Sequence, residues 1–220
     1  MLMVQTIESP HSMTDSRRAH WEQVYRSKAA TDVSWYEARP AQSLQQIRAS
    51  GVGLTDPVID VGGGASFLVD ELLNAGYRDV TVLDISADVL RKVSERLSGA
   101  GTTVHFIRSD VTSFRPTRQY ALWHDRAMFH FLVQVEDRKR YLNALRQAVA
   151  PAGQIVLATF GTGGPERCSG LPVARYDAAT LTAELRPDFQ LLDSSLLTHR
   201  TPWGSEQQFL CCRFTRAAEK

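Results

Sequence analysis

The stretch Asp60-Val61-Gly62-Gly63-Gly64-Ala65-Ser66 follows the apolar pair Val58-Ile59 and precedes the amphipathic run 67–73. An apolar strand, a glycine-rich turn and a helix in this order form the first unit of a doubly wound α/β sheet, where ligands bind at the carboxyl ends of the strands. Glycines allow the backbone to approach a ligand because no Cβ stands in the way. The stretch therefore predicts a nucleotide site, and a tight strand-to-helix turn in any α/β protein is the alternative.

Length and charge limit the class of protein. The chain has 220 residues and no proline- or serine-rich linker, which favours a single domain. With 25 basic and 24 acidic residues the net charge is +1, so we expect no nucleic-acid and no membrane partner. No apolar stretch approaches the roughly 20 residues of a membrane span, and residues 1–18 lack the pattern of a secretory signal. We expect a cytoplasmic protein.

The three cysteines argue against a disulfide framework. Cys211 and Cys212 are adjacent, Cys168 stands alone, and none has the spacing of a metal ligand. We therefore expect a reducing compartment and no metal. Cys168 has no identified base partner, so we interpret it as incidental rather than nucleophilic.

Helix and strand patterns alternate along the chain. Residues 1–14 are predicted to be a disordered tail, and 15–220 a single domain that begins with a helical segment over 15–51. Ser86, Asp137 and Asp177 are predicted to begin helices. The predicted fold class is α/β, with a doubly wound, mostly parallel, seven-stranded Rossmann-like sheet and a C-terminal antiparallel hairpin. The predicted strands are 58–59, 80–83, 104–107, 120–124, 154–160, 189–197 and 207–214.

Acidic residues at the ends of the second and third strands indicate which kind of nucleotide binds. A dinucleotide fingerprint needs a further glycine where this chain has the bulky Phe67, which argues against NAD. Asp84 ends the second strand, where a carboxylate can accept both hydroxyl protons of a ribose, as in NAD enzymes and methyl-donor enzymes alike. Asp110 follows the third strand, where it can accept a hydrogen bond from an adenine amino group while Val111 packs on the ring.

Together with the closing hairpin, these motifs resemble the class I S-adenosylmethionine-dependent methyltransferases over nearly the whole chain. The resemblance implies that the donor S-adenosylmethionine, and its product S-adenosylhomocysteine, bind a cradle formed by Asp60, Gly62, Gly63 and Gly64. It also implies that Asp84 holds the ribose, that Ile85 packs on the adenine, and that Asp110 and Val111 read its amino edge. Ser66 departs from the family pattern, in which a third glycine is frequent here.

A narrower resemblance rests on residues 32–37 and 123–131. These segments are similar to small bacterial thiopurine and tellurite methyltransferases, and to a mitochondrial protein-lysine methyltransferase group. The resemblance implies that the segment 15–51 folds over the donor as a lid carrying Trp35 and Tyr36. The alternative for these aromatics is an ordinary anchor that packs the N-terminal helix on the sheet.

Two residues after the fourth strand are candidates for the chemistry. Methyl transfer is an in-line displacement, so the protein chiefly aligns the reactants. His130 is the candidate general base, because its ordinary pKa lies near neutral pH; the alternative is a hydrogen bond in the core. Asp125 is the candidate to orient the donor, and a salt bridge with Arg126 is its alternative.

The acceptor site is predicted beside the long loop 161–176. Thr198-His199-Arg200 should emerge at the ligand edge, because the sixth strand runs parallel to the core strands. We expect Arg175, Tyr176, His199 and Trp203 to line an acceptor pocket together with His130; the alternative is that the loop covers the sheet edge and Trp203 fills a turn.

The predicted function is methylation of a small-molecule nucleophile through sulfur, nitrogen or oxygen, by a monomer or weak homodimer. The alternatives are methylation of a protein lysine and a donor-binding module without turnover. A Rossmann oxidoreductase is disfavoured by Phe67 and by the closing hairpin.

Overall fold

The computed structural model describes residues 10–98 and 104–217 and shows a central seven-stranded sheet. Its strands lie in the order β3-β2-β1-β4-β5-β9-β8, and the first five along the chain are parallel. β9 is antiparallel to both β5 and β8, so β8 runs in the direction of the core strands. The strands are β1 (Val58–Val61), β2 (Val80–Asp84), β3 (Val104–Arg108), β4 (Tyr120–Arg126), β5 (Val149–Phe160), the short hairpin β6 (Arg167–Cys168) and β7 (Leu171–Pro172), β8 (Phe189–Arg200) and β9 (Glu206–Arg216).

Helices cover both faces of this sheet. Every residue of β1 and β2 is buried, as expected for parallel strands with helices on each side. Two apolar clusters form the core, and both draw side chains from the central strands. The helices are α1 (Pro10–Ser27), α2 (Ala41–Ala49), α3 (Leu68–Asn74), α4 (Ala87–Arg96), α5 (Val135–Ala148) and α6 (Ala178–Leu185), and a 3₁₀ turn lies at Phe129–Phe131.

Local signals explain where several helices begin. The Ser86 side chain accepts a hydrogen bond from the Val89 amide, and Asp177 forms a capping box with Thr180, so both predicted caps are confirmed. α5 begins at Val135, two residues before the predicted start at Asp137, whose side chain instead pairs with Arg17 of α1.

The predicted fold class is confirmed, with one correction at the N-terminus. Helix α1 begins at Pro10, so the predicted disordered tail is wrong for residues 10–14, and residues 1–9 lie outside the described part of the chain. The polar composition of residues 10–20 explains the error, because this part of α1 shows no continuous apolar stripe. Across the described ranges, no helix is long and apolar enough to span a bilayer.

Candidate functional site

The carboxyl ends of β1, β2 and β4 open into a cavity that α1 also lines, with about 760 Å³ of space when the solvent at its mouth is included. We call it the main cavity. A second cavity of about 540 Å³ adjoins it and shares Trp35, Gly62 and Arg126 with it.

The glycine turn after β1 forms part of the floor of both cavities. Gly62 and Gly64 have φ angles of 67° and 50°, in the left-handed region that side chains other than glycine disfavour. A Cβ on Gly62 would lie 2.7 Å from Cβ of Met128, and one on Gly64 would overlap the hydroxyl of Tyr25. The turn therefore requires glycine at both positions, for the backbone angle and for the space.

Asp84 ends β2 and borders the main cavity. Its carboxylate accepts hydrogen bonds from the Gly64 amide at 3.0 Å and from the Ser86 amide at 2.9 Å. Burial raises the pKa of Asp84 to about 7, against the effect of these amides. Ile85 lines the same cavity, so the structure places both predicted ribose and adenine contacts there.

Asp110 and Val111 border the same cavity at the end that follows β3. Oδ1 of Asp110 accepts hydrogen bonds from the amide and the hydroxyl of Thr112, each at 2.8 Å. Oδ2 pairs with Nη1 of Arg17 at 3.1 Å. The predicted adenine-reading carboxylate is therefore held in place by its own loop and by helix α1.

Asp60 lies beneath the second cavity in a buried chain of hydrogen bonds. Its Oδ1 is 2.7 Å from Nδ1 of His124, the neighbouring residue in the β1–β4 register, and Nε2 of His124 is 2.9 Å from the hydroxyl of Ser43. This chain fixes the orientation of the Asp60 carboxylate and ties α2 to the sheet. Gly63 borders the second cavity too.

Trp35 and Tyr36 belong to the segment that joins α1 to α2. Trp35 borders both cavities and Tyr36 borders the second. Arg126 holds the segment, because its Nη1 donates to the Trp35 carbonyl at 3.1 Å and its Nη2 pairs with Glu37 at 3.2 Å. The segment therefore closes over the strand ends, while Trp35 also packs edge-on against Trp21 with ring centroids 5.8 Å apart.

The structure contradicts the role of general base predicted for His130. The imidazole is completely buried and borders neither cavity. Its Nδ1 accepts a hydrogen bond from the Phe160 amide at 3.3 Å. Burial, with the nearby charge of Arg126, lowers the pKa of His130 to about 3. A neutral imidazole enclosed by the core cannot take a proton from an acceptor, so the alternative, a hydrogen bond in the core, is correct.

Asp125 also has a structural role instead of the predicted orienting one. It is fully buried, and its Oδ1 accepts from the amides of Met128 at 3.1 Å and Phe129 at 3.2 Å. Its Oδ2 accepts from the Tyr141 hydroxyl at 2.9 Å, and that hydroxyl accepts from the indole of Trp123. Burial raises the pKa of Asp125 to about 7. The residue fixes the turn after β4, and its alternative, a salt bridge with Arg126, is absent because Arg126 pairs with Glu37.

The four predicted acceptor residues do not come together. Arg175 bonds the carbonyls of its own loop and Glu166, and Tyr176 packs in the core against Phe129. Trp203 is 60% exposed in the β8–β9 turn. His199 lies at the ligand edge as expected from the direction of β8, but its Nε2 bonds the Ser34 carbonyl at 2.6 Å. The predicted acceptor pocket is therefore wrong, and the loop covers the sheet edge.

Sequence reasoning missed the part that helix α1 plays. Arg17, Trp21 and Tyr25 stand four residues apart, which places them on one face of the helix, and all three border the main cavity. The spacing of four residues could have indicated this shared face. Arg17 was missed because it is charged, so only Trp21 and Tyr25 form an apolar stripe. Phe131 and Cys168 complete this wall of the cavity.

Comparisons with known proteins agree with this arrangement. Residues 58–153 match the family described as methyltransferase domain. The match and the fold together support a methyltransferase domain over these residues. The glycine turn, Asp84 and the Asp110 loop fit the donor S-adenosylmethionine, because they offer a floor free of Cβ atoms and carboxylates at the expected ribose and adenine ends.

Individual relatives differ in what they act on. The eEF1A lysine and N-terminal methyltransferase of Bos taurus is 23% identical over 138 residues, which is 62% of this chain and 19% of that protein. The chain thus spans about a fifth of the length of this curated relative.

Two solved structures share the fold. A Burkholderia thailandensis 1,6-didemethyltoxoflavin-N1-methyltransferase with bound 1,6-didemethyltoxoflavin and S-adenosylhomocysteine has a TM-score of 0.73 and 19% identity, covering 98% of this chain and 93% of the other. The N-methyltransferase NodS of Bradyrhizobium japonicum WM9 in complex with S-adenosylhomocysteine has a TM-score of 0.69 and 15% identity, covering 90% and 98%. The narrower resemblance to thiopurine and tellurite methyltransferases stays a prediction.

Proposed function

We propose that this protein transfers a methyl group from S-adenosylmethionine to a small, flat and largely apolar molecule. The observation that carries the proposal is the aromatic wall of the main cavity, formed by Trp21, Trp35 and Phe131. Trp21 stands in the middle, with ring centroids 5.1 Å from Phe131 and 5.8 Å from Trp35. Such a wall favours a flat acceptor, because ring faces and edges provide apolar contact with little side-chain entropy to lose.

Different residues of the main cavity suit different parts of the reaction. Asp84, Ile85 and Asp110 offer the acidic and apolar contacts that a nucleoside needs. Trp21, Phe131 and Cys168 border the same cavity and offer mostly apolar contacts. An acceptor against these side chains would share one cavity with the donor.

In this proposal the protein catalyses the transfer by aligning the donor and the acceptor. The donor, when bound, supplies a methyl group already activated on a sulfonium. The protein's part is to hold donor and acceptor in line and to exclude water. Among the described residues that border the main cavity there is no histidine, so an acceptor that is nucleophilic without a base fits best, such as a ring nitrogen or a thiolate.

The proposal includes no nucleic-acid partner and no membrane, because a net charge of +1 gives no large electrostatic footprint for either.

Donor binding and methyl transfer are tested in two steps. Calorimetry should give a Kd for S-adenosylhomocysteine in the micromolar range, and Asp84→Asn should weaken it about tenfold or more, because ribose hydrogen bonds to a carboxylate are worth roughly 1.5–3 kcal/mol each. Asp193→Asn, at an exposed position of β8, is the matched control. Labelled donor is then incubated with panels of heteroaromatic amines, thiols and phenols. Failure of the wild-type protein to bind the donor would refute the proposal.

A protein acceptor is the second candidate, because the curated relative from Bos taurus is a lysine and N-terminal methyltransferase. The cover over the strand ends makes a lysine side chain harder to admit than a small molecule. If the labelled methyl group appears on lysine-containing peptides and on none of the small molecules, the acceptor is a protein.

A further inference from the structure

We propose that Arg17 of α1 determines the specificity of the donor site for adenine, an inference that rests on the proposed function. Nη1 of Arg17 lies 3.1 Å from Oδ2 of Asp110 and 3.4 Å from the Thr112 hydroxyl, and Nη2 pairs with Asp137 of α5. The carboxylates of Asp110 and Asp137 are only 4% and 5% exposed. One guanidinium thus joins the loop after β3 to α5, and its planar fork suits two carboxylates at once.

The Asp110 carboxylate has one hydrogen-bond acceptor position left for a ligand. A carboxylate has about four lone-pair positions. Two on Oδ1 are taken by the amide and hydroxyl of Thr112, and one on Oδ2 is taken by Arg17. One position is left on a residue that borders the main cavity. The amino group of an adenine can fill it, whereas the carbonyl oxygen of a hypoxanthine would face a negative oxygen without a hydrogen between them.

Arg17 fixes the direction of the Asp110 carboxylate. It is the only cation paired with Asp110 in the described part of the chain, whereas Asp137 has a second partner in Arg140 at 3.4 Å. Without the guanidinium, Oδ2 of Asp110 loses the donor that fixes its direction and regains a second free acceptor position. The carboxylate is then no longer held toward the amino group of an adenine. Loss of the guanidinium should therefore reduce the preference for adenine and weaken binding of the donor.

The experiment compares two ligands that differ at the edge of the base, where deamination replaces the 6-amino group by a carbonyl oxygen and adds a hydrogen to N1. The Kd values of S-adenosylhomocysteine and its deaminated analogue, S-inosylhomocysteine, are determined for the full-length wild type and for Arg17→Met, Arg17→Lys and Arg18→Met. Arg18 is the matched control, since it follows Arg17 on α1 and pairs with Asp15 at the surface. The wild type should prefer the adenine ligand at least about tenfold, as expected for a charge-assisted hydrogen bond.

Arg17→Met should weaken S-adenosylhomocysteine about tenfold or more and bring the two Kd values closer together. Arg17→Lys, which restores the charge, should recover most of the preference, and Arg18→Met should match the wild type. A variant Arg17→Met that loses affinity equally for both ligands would show a structural contact only and would overturn the inference. So would an unchanged preference. If the wild type binds neither ligand, the proposed function itself fails, and the role of Arg17 fails with it.

Discussion

Replacement of Asp125 by alanine tests whether this residue serves the fold or the chemistry. The substitution leaves three donors without their partner: the amides of Met128 and Phe129 and the hydroxyl of Tyr141. Phe129 and Tyr141 are buried. Each buried donor left unsatisfied costs about 1–3 kcal/mol, so the free energy of unfolding should fall by about 2–6 kcal/mol.

For a protein of this size, 1 kcal/mol corresponds to about 2–4 °C in Tm, so the expected loss is roughly 4–24 °C. Calorimetric or fluorescence melts of Asp125→Ala, with Asp193→Ala as control, measure it. Tyr141→Phe should cost about 2–6 kcal/mol, because it leaves two buried groups, the Trp123 indole N–H and Oδ2 of Asp125, without a partner. At a temperature where Asp125→Ala is folded, its Kd for S-adenosylhomocysteine should equal that of the wild type. A variant with an unchanged melt and no turnover would refute the structural role.

Three further predictions concern the site. Because the pKa of Asp84 is raised to about 7, its carboxylate is mostly protonated at pH 6 and mostly charged at pH 8. The affinity for S-adenosylhomocysteine should therefore rise up to about tenfold between these two pH values. In Asp84→Asn the affinity should not change with pH, and an equal pH dependence in that variant would contradict the assignment. Replacing both Trp35 and Tyr36 by alanine should lower donor affinity and turnover together, since the segment borders both cavities; unchanged kinetics would leave these aromatics with a packing role alone. Arg175→Ala and Trp203→Ala should leave the acceptor KM unchanged, because neither side chain borders the main cavity; a raised KM would place the acceptor outside it.

The positions of the residues predicted to bind the donor follow from strand order. Asp60, Asp84 and Asp110 each stand near or just after the end of a parallel strand, and the carboxyl ends of parallel strands meet at one edge. The glycine turn adds a backbone signal that is local in sequence. Their proximity therefore needs no knowledge of side-chain packing.

The roles of the polar residues at and after the end of β4 could not be predicted in the same way. Asp125 and His130 are both polar residues near the predicted ligand edge, and the sequence does not show which way each side chain points. The sharp turn at Ala127, with a φ of 66°, and the 3₁₀ turn that follows direct both side chains into the core. Burial then makes His130 neutral and gives Asp125 three donors to satisfy. The deciding quantity is tertiary burial, which local patterns do not contain.

The contribution of α1 to the main cavity escaped prediction for a related reason. Among the residues of α1 whose burial is described, only Val24 and Tyr25 are buried apolar side chains. Most of its other contacts are polar, such as Glu22 with the Ala87 amide at 3.0 Å and Lys92 with the Tyr25 carbonyl at 2.7 Å. A helix with little buried apolar surface lies at the low end of local stability. A ligand that fills the cavity that α1 lines adds contacts that the empty protein lacks, so donor binding and the position of α1 are thermodynamically linked.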